Sequence, residues 1–184
     1  MPLFVISGCS GGGKTALIGE LARRGLATVP EPGMRIVAEE RAGTGDALPW
    51  NDPVAFALRA VELARSDLAA INVNPPPGPV FFDRSLVDAA NALERALGEP
   101  APSAWIGQER YARTVFMTAP WPEVFSRTAD RQHDFDAAEA EYESLLEAYR
   151  RLHFTIEHIP QTHVPGRADW LLANVCKTTG AGPL

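Results

Sequence analysis

Near the start of the chain, Gly8-Cys9-Ser10-Gly11-Gly12-Gly13-Lys14-Thr15 meets the pattern G-x-x-x-x-G-K-[ST] at every fixed position. The glycines let the backbone curl so that successive N–H groups point inward and form a nest for an anion. A helix running on through Ala16 adds the positive end of its dipole at the same spot. In such a loop the Lys14 ammonium reaches the β- and γ-phosphates, and the Thr15 hydroxyl holds Mg²⁺. The chemistry these residues suit is binding of a nucleoside triphosphate with magnesium, with ATP as the first choice and GTP as the other.

Phosphoryl chemistry needs more than the loop, and three further groups of residues have the types for it. Val80-Phe81-Phe82-Asp83 ends an apolar run in a carboxylate, a candidate second partner for Mg²⁺; the same side chain also suits a helix cap. The next residue is Arg84, where hydrolytic motors usually carry a second acid to orient water. An arginine there points to transfer onto an organic acceptor, with the guanidinium offsetting phosphate charge. Glu31, in Val29-Pro30-Glu31-Pro32, is placed to take the proton of an acceptor hydroxyl; its other reading is a charge at a helix N-terminus. Arg35 lies one helical turn further on and can face the same pocket. Arg127 and Arg131, also four apart, suit a lid that clamps the moving phosphoryl group, or else a solvated helix face. Trp50 and Arg59 are further candidates for an acceptor site on the placement that the resemblance described below implies, and the indole could stack on a flat ring.

These groups must be positioned by alternating strands and helices. The pattern predicts strands at 3–7, 26–29, 79–83, 113–118 and 154–159, and helices at 14–24, 32–42, 53–71, 85–97, 122–130, 136–152 and 165–176. Short strands apolar on both faces, alternating with helices, argue an α/β fold with a parallel sheet covered on both sides. Asp52-Pro53 reads as a helix start, as does Asp136-Ala137-Ala138-Glu139. One domain is expected over residues 1–176, with a lid at 119–135 and a flexible tail at 177–184.

Composition narrows the partners. The 184 residues suffice for one core that buries about 70% of the unfolded surface. A net charge of −6 argues against nucleic acid, and no apolar run is long enough to span a membrane. With two cysteines and no secretory pattern, a cytoplasmic location is expected. Cys9 sits beside Lys14 at a helix N-terminus, a setting that can depress a thiol pKa. The four histidines show no metal-ligand spacing. No Asn-Lys-x-Asp segment of the guanine-specific switches is present.

Gly8 to Thr15, Val29-Pro30-Glu31-Pro32, Phe82-Asp83-Arg84-Ser85 and the pair Arg127 and Arg131 together resemble the nucleoside and nucleotide kinases among P-loop proteins, in particular the AAA-like branch related to the ribosylnicotinamide kinase domain. The resemblance implies a three-layer P-loop NTPase fold with five parallel strands in the order 2-3-1-4-5. It also implies ATP with Mg²⁺, and an acceptor pocket between the second strand and helix 53–71. In deoxynucleoside kinases the glutamate matching Glu31 is the base toward the acceptor hydroxyl, and their acid-arginine-serine segment carries Glu where this chain has Asp83. The expectation is a kinase for a nucleoside-like or nucleotide-like small molecule, with a homodimer as a possible assembly. The alternative is a nucleotide-gated binding protein with little turnover.

Overall fold

The computed structural model describes residues 1–100, 111–123 and 135–179. Eleven elements follow in chain order: β1 (Leu3–Gly8), α1 (Lys14–Arg23), β2 (Ala27–Val29), α2 (Pro32–Ala42), α3 (Pro53–Val73), β3 (Val80–Asp83), α4 (Leu86–Leu97), β4 (Tyr111–Thr118), α5 (Phe135–Arg151), β5 (Thr155–His158) and α6 (Val164–Thr179). The sequence boundaries differ from these by a few residues at most. The largest difference is at α6, which runs on to Thr179. Of the expected helix 122–130, residues 124–130 lie outside the described residues, and so do Arg127 and Arg131.

The strands form one five-stranded sheet in the order β2-β3-β1-β4-β5, parallel throughout. β1 is central and buried along its whole length. Its alternate side chains divide the core into two layers. Leu3 and Val5 join Val80, Phe82, Val115 and Met117 in packing beneath α3, α4 and α5. Phe4 and Ile6 join Phe81 and Phe116 in packing beneath α1 and α6 through Leu17, Leu21, Leu171 and Val175. Both faces of the strands are covered, so their sequences read as continuous apolar runs.

Register brings the chemistry to one edge. Ile6 stands opposite Asp83, Val29 opposite Phe82, and Gly8 opposite Thr118. Glu31, Asp83 and the glycine loop therefore all leave the sheet at its carboxyl end, where open α/β sheets hold ligands. Gly8 turns the chain there: its φ is +126°, and a Cβ would lie 2.2 Å from the Thr118 carbonyl oxygen, so no other residue fits.

Candidate active site

The phosphate loop joins β1 to α1. Gly11 and Gly13 take φ of +87° and +75°, the left-handed values that turn the amides inward. Lys14 is buried, and its Nζ donates to the carbonyl oxygens of Gly8 (2.9 Å) and Cys9 (2.6 Å). Burial and the nearby Arg84 charge lower its pKa, while Glu31, Asp83 and Glu141 oppose that shift. Thr15 and Ala16 are exposed at the start of α1 and line the cavity beside the loop. Cys9 corrects an expectation: burial pushes its thiol up, and the lowering by Lys14 does not overcome it.

That cavity, about 630 Å³, runs from Ser10 and Lys14 past Glu31 and Arg84 to the walls formed by α2, α3 and α4. Between the end of β2 and α3 it is lined by Pro32, Phe56 and Ala60, the place where the sequence reading expects an acceptor. Arg84 is the hub. Its φ of +68° is a left-handed value that costs a non-glycine residue about 1 kcal/mol. Its amide nevertheless continues the sheet by donating to the Ile6 carbonyl (3.0 Å). The guanidinium meets three carboxylates: Nε lies 2.9 Å from Glu31 Oε1 without hydrogen-bond alignment, Nη2 lies 2.8 Å from Glu141, and Nη1 lies 3.8 Å from Asp88. Burial opposes its charge, but Glu141, Glu31, Asp88 and Asp83 outweigh burial and raise its pKa further.

Asp83 ends β3 and is buried, and its Oδ1 has no hydrogen-bond partner among the described residues. Burial and the Glu31 charge push its carboxyl up to about 7. A divalent cation beside it would supply both the missing contact and the missing charge, so Asp83 fits a ligand of Mg²⁺ or of its water. No cluster of three or more His, Cys, Asp or Glu that could hold a metal occurs among the described residues. Magnesium here would depend on phosphate oxygens along with Thr15 and Asp83. The cap of α4 is Ser85, which forms a capping box with Asp88, so Asp83 is not occupied in that way. Glu31 stands at the N-cap position of α2 but makes no side-chain cap hydrogen bond; its carboxylate pairs with Arg84 instead.

Three residues with no part in the sequence reading complete the arrangement. Glu141 of α5 accepts from the Ser10 amide (3.1 Å) while paired with Arg84. Burial would raise its pKa, but Arg84, Lys14 and that amide hold it down at about 2. Asp88 is buried and accepts from the Ser7 and Tyr149 hydroxyls, and from the amide and hydroxyl of Ser85 at 2.9 Å each. It supports Arg84 from below. Arg167 of α6 is 3% exposed and donates from Nη2 to Gly12 O (3.0 Å) and from Nη1 to Gly13 O (3.2 Å), with Trp121 5.9 Å away across its guanidinium. A signal existed for two of them. Glu141 flanks the apolar stripe of α5, and Arg167 is a cation in a first helical turn, where the dipole disfavours it.

The remaining acceptor candidates separate. Trp50 lines the cavity, with Arg41 stacked 5.7 Å from its ring. Arg35 and Arg59 do not line it: Arg35 pairs with Asp67 on α3 (2.7 Å), and Arg59 pairs with Glu39 (2.7 Å) and Glu40 on α2.

Comparison with known proteins bears on this geometry. Residues 3–167 match the family model described as an AAA domain. The chain belongs to this AAA domain family. Solved structures similar to this AAA domain include deoxyadenosine kinase from M. mycoides with bound dATP, at TM-score 0.61 and 14% identity over 95% of this chain and 99% of that one. The same kinase with the products dCMP and dCDP aligns at TM-score 0.58 and 12% identity over 95% and 99%. Shikimate kinase from Acinetobacter baumannii in complex with shikimate aligns at TM-score 0.57 and 17% identity over 96% and 94%. A search of curated proteins returned no match. The fold is that of the P-loop NTPases with a kinase-like arrangement, its strands in the order 2-3-1-4-5. Among the described residues, no helix is long and apolar enough to cross a membrane.

Proposed function

We propose that this AAA domain is a Mg²⁺-dependent small-molecule kinase that transfers the γ-phosphate of ATP to a hydroxyl of a nucleoside-like or nucleotide-like acceptor. One observation carries the reading: a single cavity joins the phosphate loop to a paired carboxylate and arginine, Glu31 and Arg84, at the adjacent strand ends. The structural similarity to two small-molecule kinases supports it.

In this scheme the amides from Gly8 to Thr15 and the Lys14 ammonium hold the triphosphate, and Lys14 exchanges its loop carbonyls for phosphate oxygens. Thr15 and Asp83 would hold Mg²⁺, which when bound offsets phosphate charge. Glu31 accepts the proton of the acceptor hydroxyl, and Arg84 offsets charge on the transferring group. Arg127 and Arg131 would join from the segment following Trp121-Pro122. Trp50 supplies a face for a flat acceptor. Most of the rate comes from positioning and electrostatics.

The test is mass-spectrometric detection of a phosphorylated product from Mg²⁺-ATP and pooled nucleosides, nucleotides and nicotinamide riboside. A product made by the wild type and absent with Lys14→Ala supports the reading; no product despite tight nucleotide binding opposes it. The Glu141 contact favours a second reading. Its carboxylate sits on the Ser10 amide and Arg84, two donors that phosphate oxygens also seek, so nucleotide binding would displace Glu141 and with it the start of α5. In a nucleotide-gated binding protein that displacement would expose a partner surface, and partner capture would require nucleotide.

A further inference from the structure

The charge lining the cavity discriminates between the two acceptor classes. We infer, resting on the kinase reading above, that the acceptor carries no negative charge: it presents a hydroxyl to Glu31 and Arg84, and a flat, apolar body to α2, α3 and α4.

The described ionisable residues lining the cavity are Lys14 and Arg84 against Glu31, Asp88 and Glu141, two cations against three carboxylates. Lys14 belongs to the phosphate end. Arg84 is already surrounded by Glu31, Glu141 and Asp88. Among the described residues, Arg35 pairs with Asp67 and Arg59 with Glu39 and Glu40, so neither lines the cavity. Arg41 lies outside the lining, stacked on Trp50. A phosphate monoester or carboxylate entering this end would lose its water and meet more carboxylates than cations among the described residues.

The walls point to the same class. Met34, Val37, Phe56, Ala60, Ala89 and Ala92 line the acceptor end and offer no hydrogen-bonding side chain. Gly33 lets the Phe56 ring approach the first turn of α2, since a Cβ there would lie 3.1 Å from Phe56 Cζ. A flat ring against Phe56 and Trp50 buries apolar surface, while its hydroxyl end faces the Glu31–Arg84 pair. The structure thereby separates nucleoside-like from nucleotide-like acceptors, which the motifs alone leave open.

The experiment is equilibrium binding to wild-type protein saturated with a Mg²⁺-bound, non-hydrolysable ATP analogue, so that the phosphate loop is filled. The probes are a pool of uncharged nucleosides, the same nucleosides as 5′-monophosphates, and shikimate. Binding of an uncharged member at least about tenfold tighter than its monophosphate is expected, from the cost of placing like charges together. Equal or tighter binding of the anionic members, or binding of neither pool, would overturn the inference. Met34 is exposed at the rim, so Met34→Lys can introduce a cation with little risk to folding. It should raise affinity for the monophosphate relative to the nucleoside; no relative gain for the monophosphate counts against the charge argument. Failure of the kinase reading looks different: the uncharged compound binds, but with Mg²⁺-ATP no phosphorylated product forms.

Discussion

The two ends of the cavity are made of different material. At the proposed phosphate end the groups are backbone amides and one lysine from a single run of eight residues, Gly8 to Thr15. At the proposed acceptor end they are side chains from α2, α3, α4 and α5, arranged around a buried arginine. The difference teaches what each tolerates. A nest of amides depends on backbone dihedrals, so it is sensitive to a Cβ at Gly8 and at Gly11, both of positive φ, and less so to side-chain identity at Ser10. The acceptor end depends on shape and charge balance, so single side-chain changes should retune its specificity without unfolding the protein.

The strongest break in that comparison is expected from Lys14→Ala. It should reduce phosphoryl transfer by about a thousandfold or more and leave uncharged-acceptor binding as it is, measured by product formation and by titration. Equal loss of acceptor binding would show that the two ends are not separable. Glu31→Gln comes next: a fall in kcat of about a hundredfold, with ATP affinity retained, would place proton transfer at the acceptor end. An unchanged kcat would return Glu31 to a structural partner of Arg84. Arg167→Ala leaves the Gly12 and Gly13 carbonyls without their buried donor and should weaken ATP binding by about tenfold, with Arg167→Lys recovering part of it. A loss of thermal stability with unaltered ATP affinity would make Arg167 a packing residue only. Trp50→Ala should raise acceptor KM a few fold, by roughly the value of one aromatic contact, and leave ATP binding alone.

The smallest expected effect concerns pH. Asp83 has its carboxyl raised from an ordinary 3.8 to about 7, mainly by burial and then by Glu31. The folded protein therefore holds this proton more tightly than the unfolded chain does. Its contribution to stability is fully present below the ordinary value and is lost as pH rises toward about 7. Mg²⁺ with nucleotide should restore that loss, because the ionised carboxylate is the form that binds the ion. Thermal melts of wild type and Asp83→Asn across this range check both statements: the variant should show a flatter slope and a smaller gain from Mg²⁺-nucleotide.

Much of the scaffold was legible because its signals are local. Val80-Phe81-Phe82 reads as a two-sided buried strand, Asp52-Pro53 as a helix start, and the loop as a turn between β1 and α1. The strand order came from resemblance rather than from any periodicity. Local reading was weakest where a long side chain has a choice of partners. Arg35 lies one turn from Glu31 and was expected in the pocket, yet its guanidinium is 2.7 Å from Asp67 on the neighbouring helix. Arg59 turned likewise toward α2. A guanidinium stem several bonds long reaches either side of its helix, and only the packed neighbour decides which carboxylate it meets.

By itself the sequence determined the phosphate end, because an anion nest needs only contiguous backbone with glycines where the dihedrals demand them. It also determined the parallel α/β class, because burial on both strand faces leaves a continuous apolar record. Tertiary structure alone decided the rest. It set Glu141 on the Ser10 amide across 131 residues and Arg167 on the Gly12 carbonyl across 155. It also gathered three carboxylates around Arg84. Contacts between distant residues leave no periodic trace in a chain, since each requires only one polar side chain at one position, and the geometry that pairs them exists only once the layers have packed.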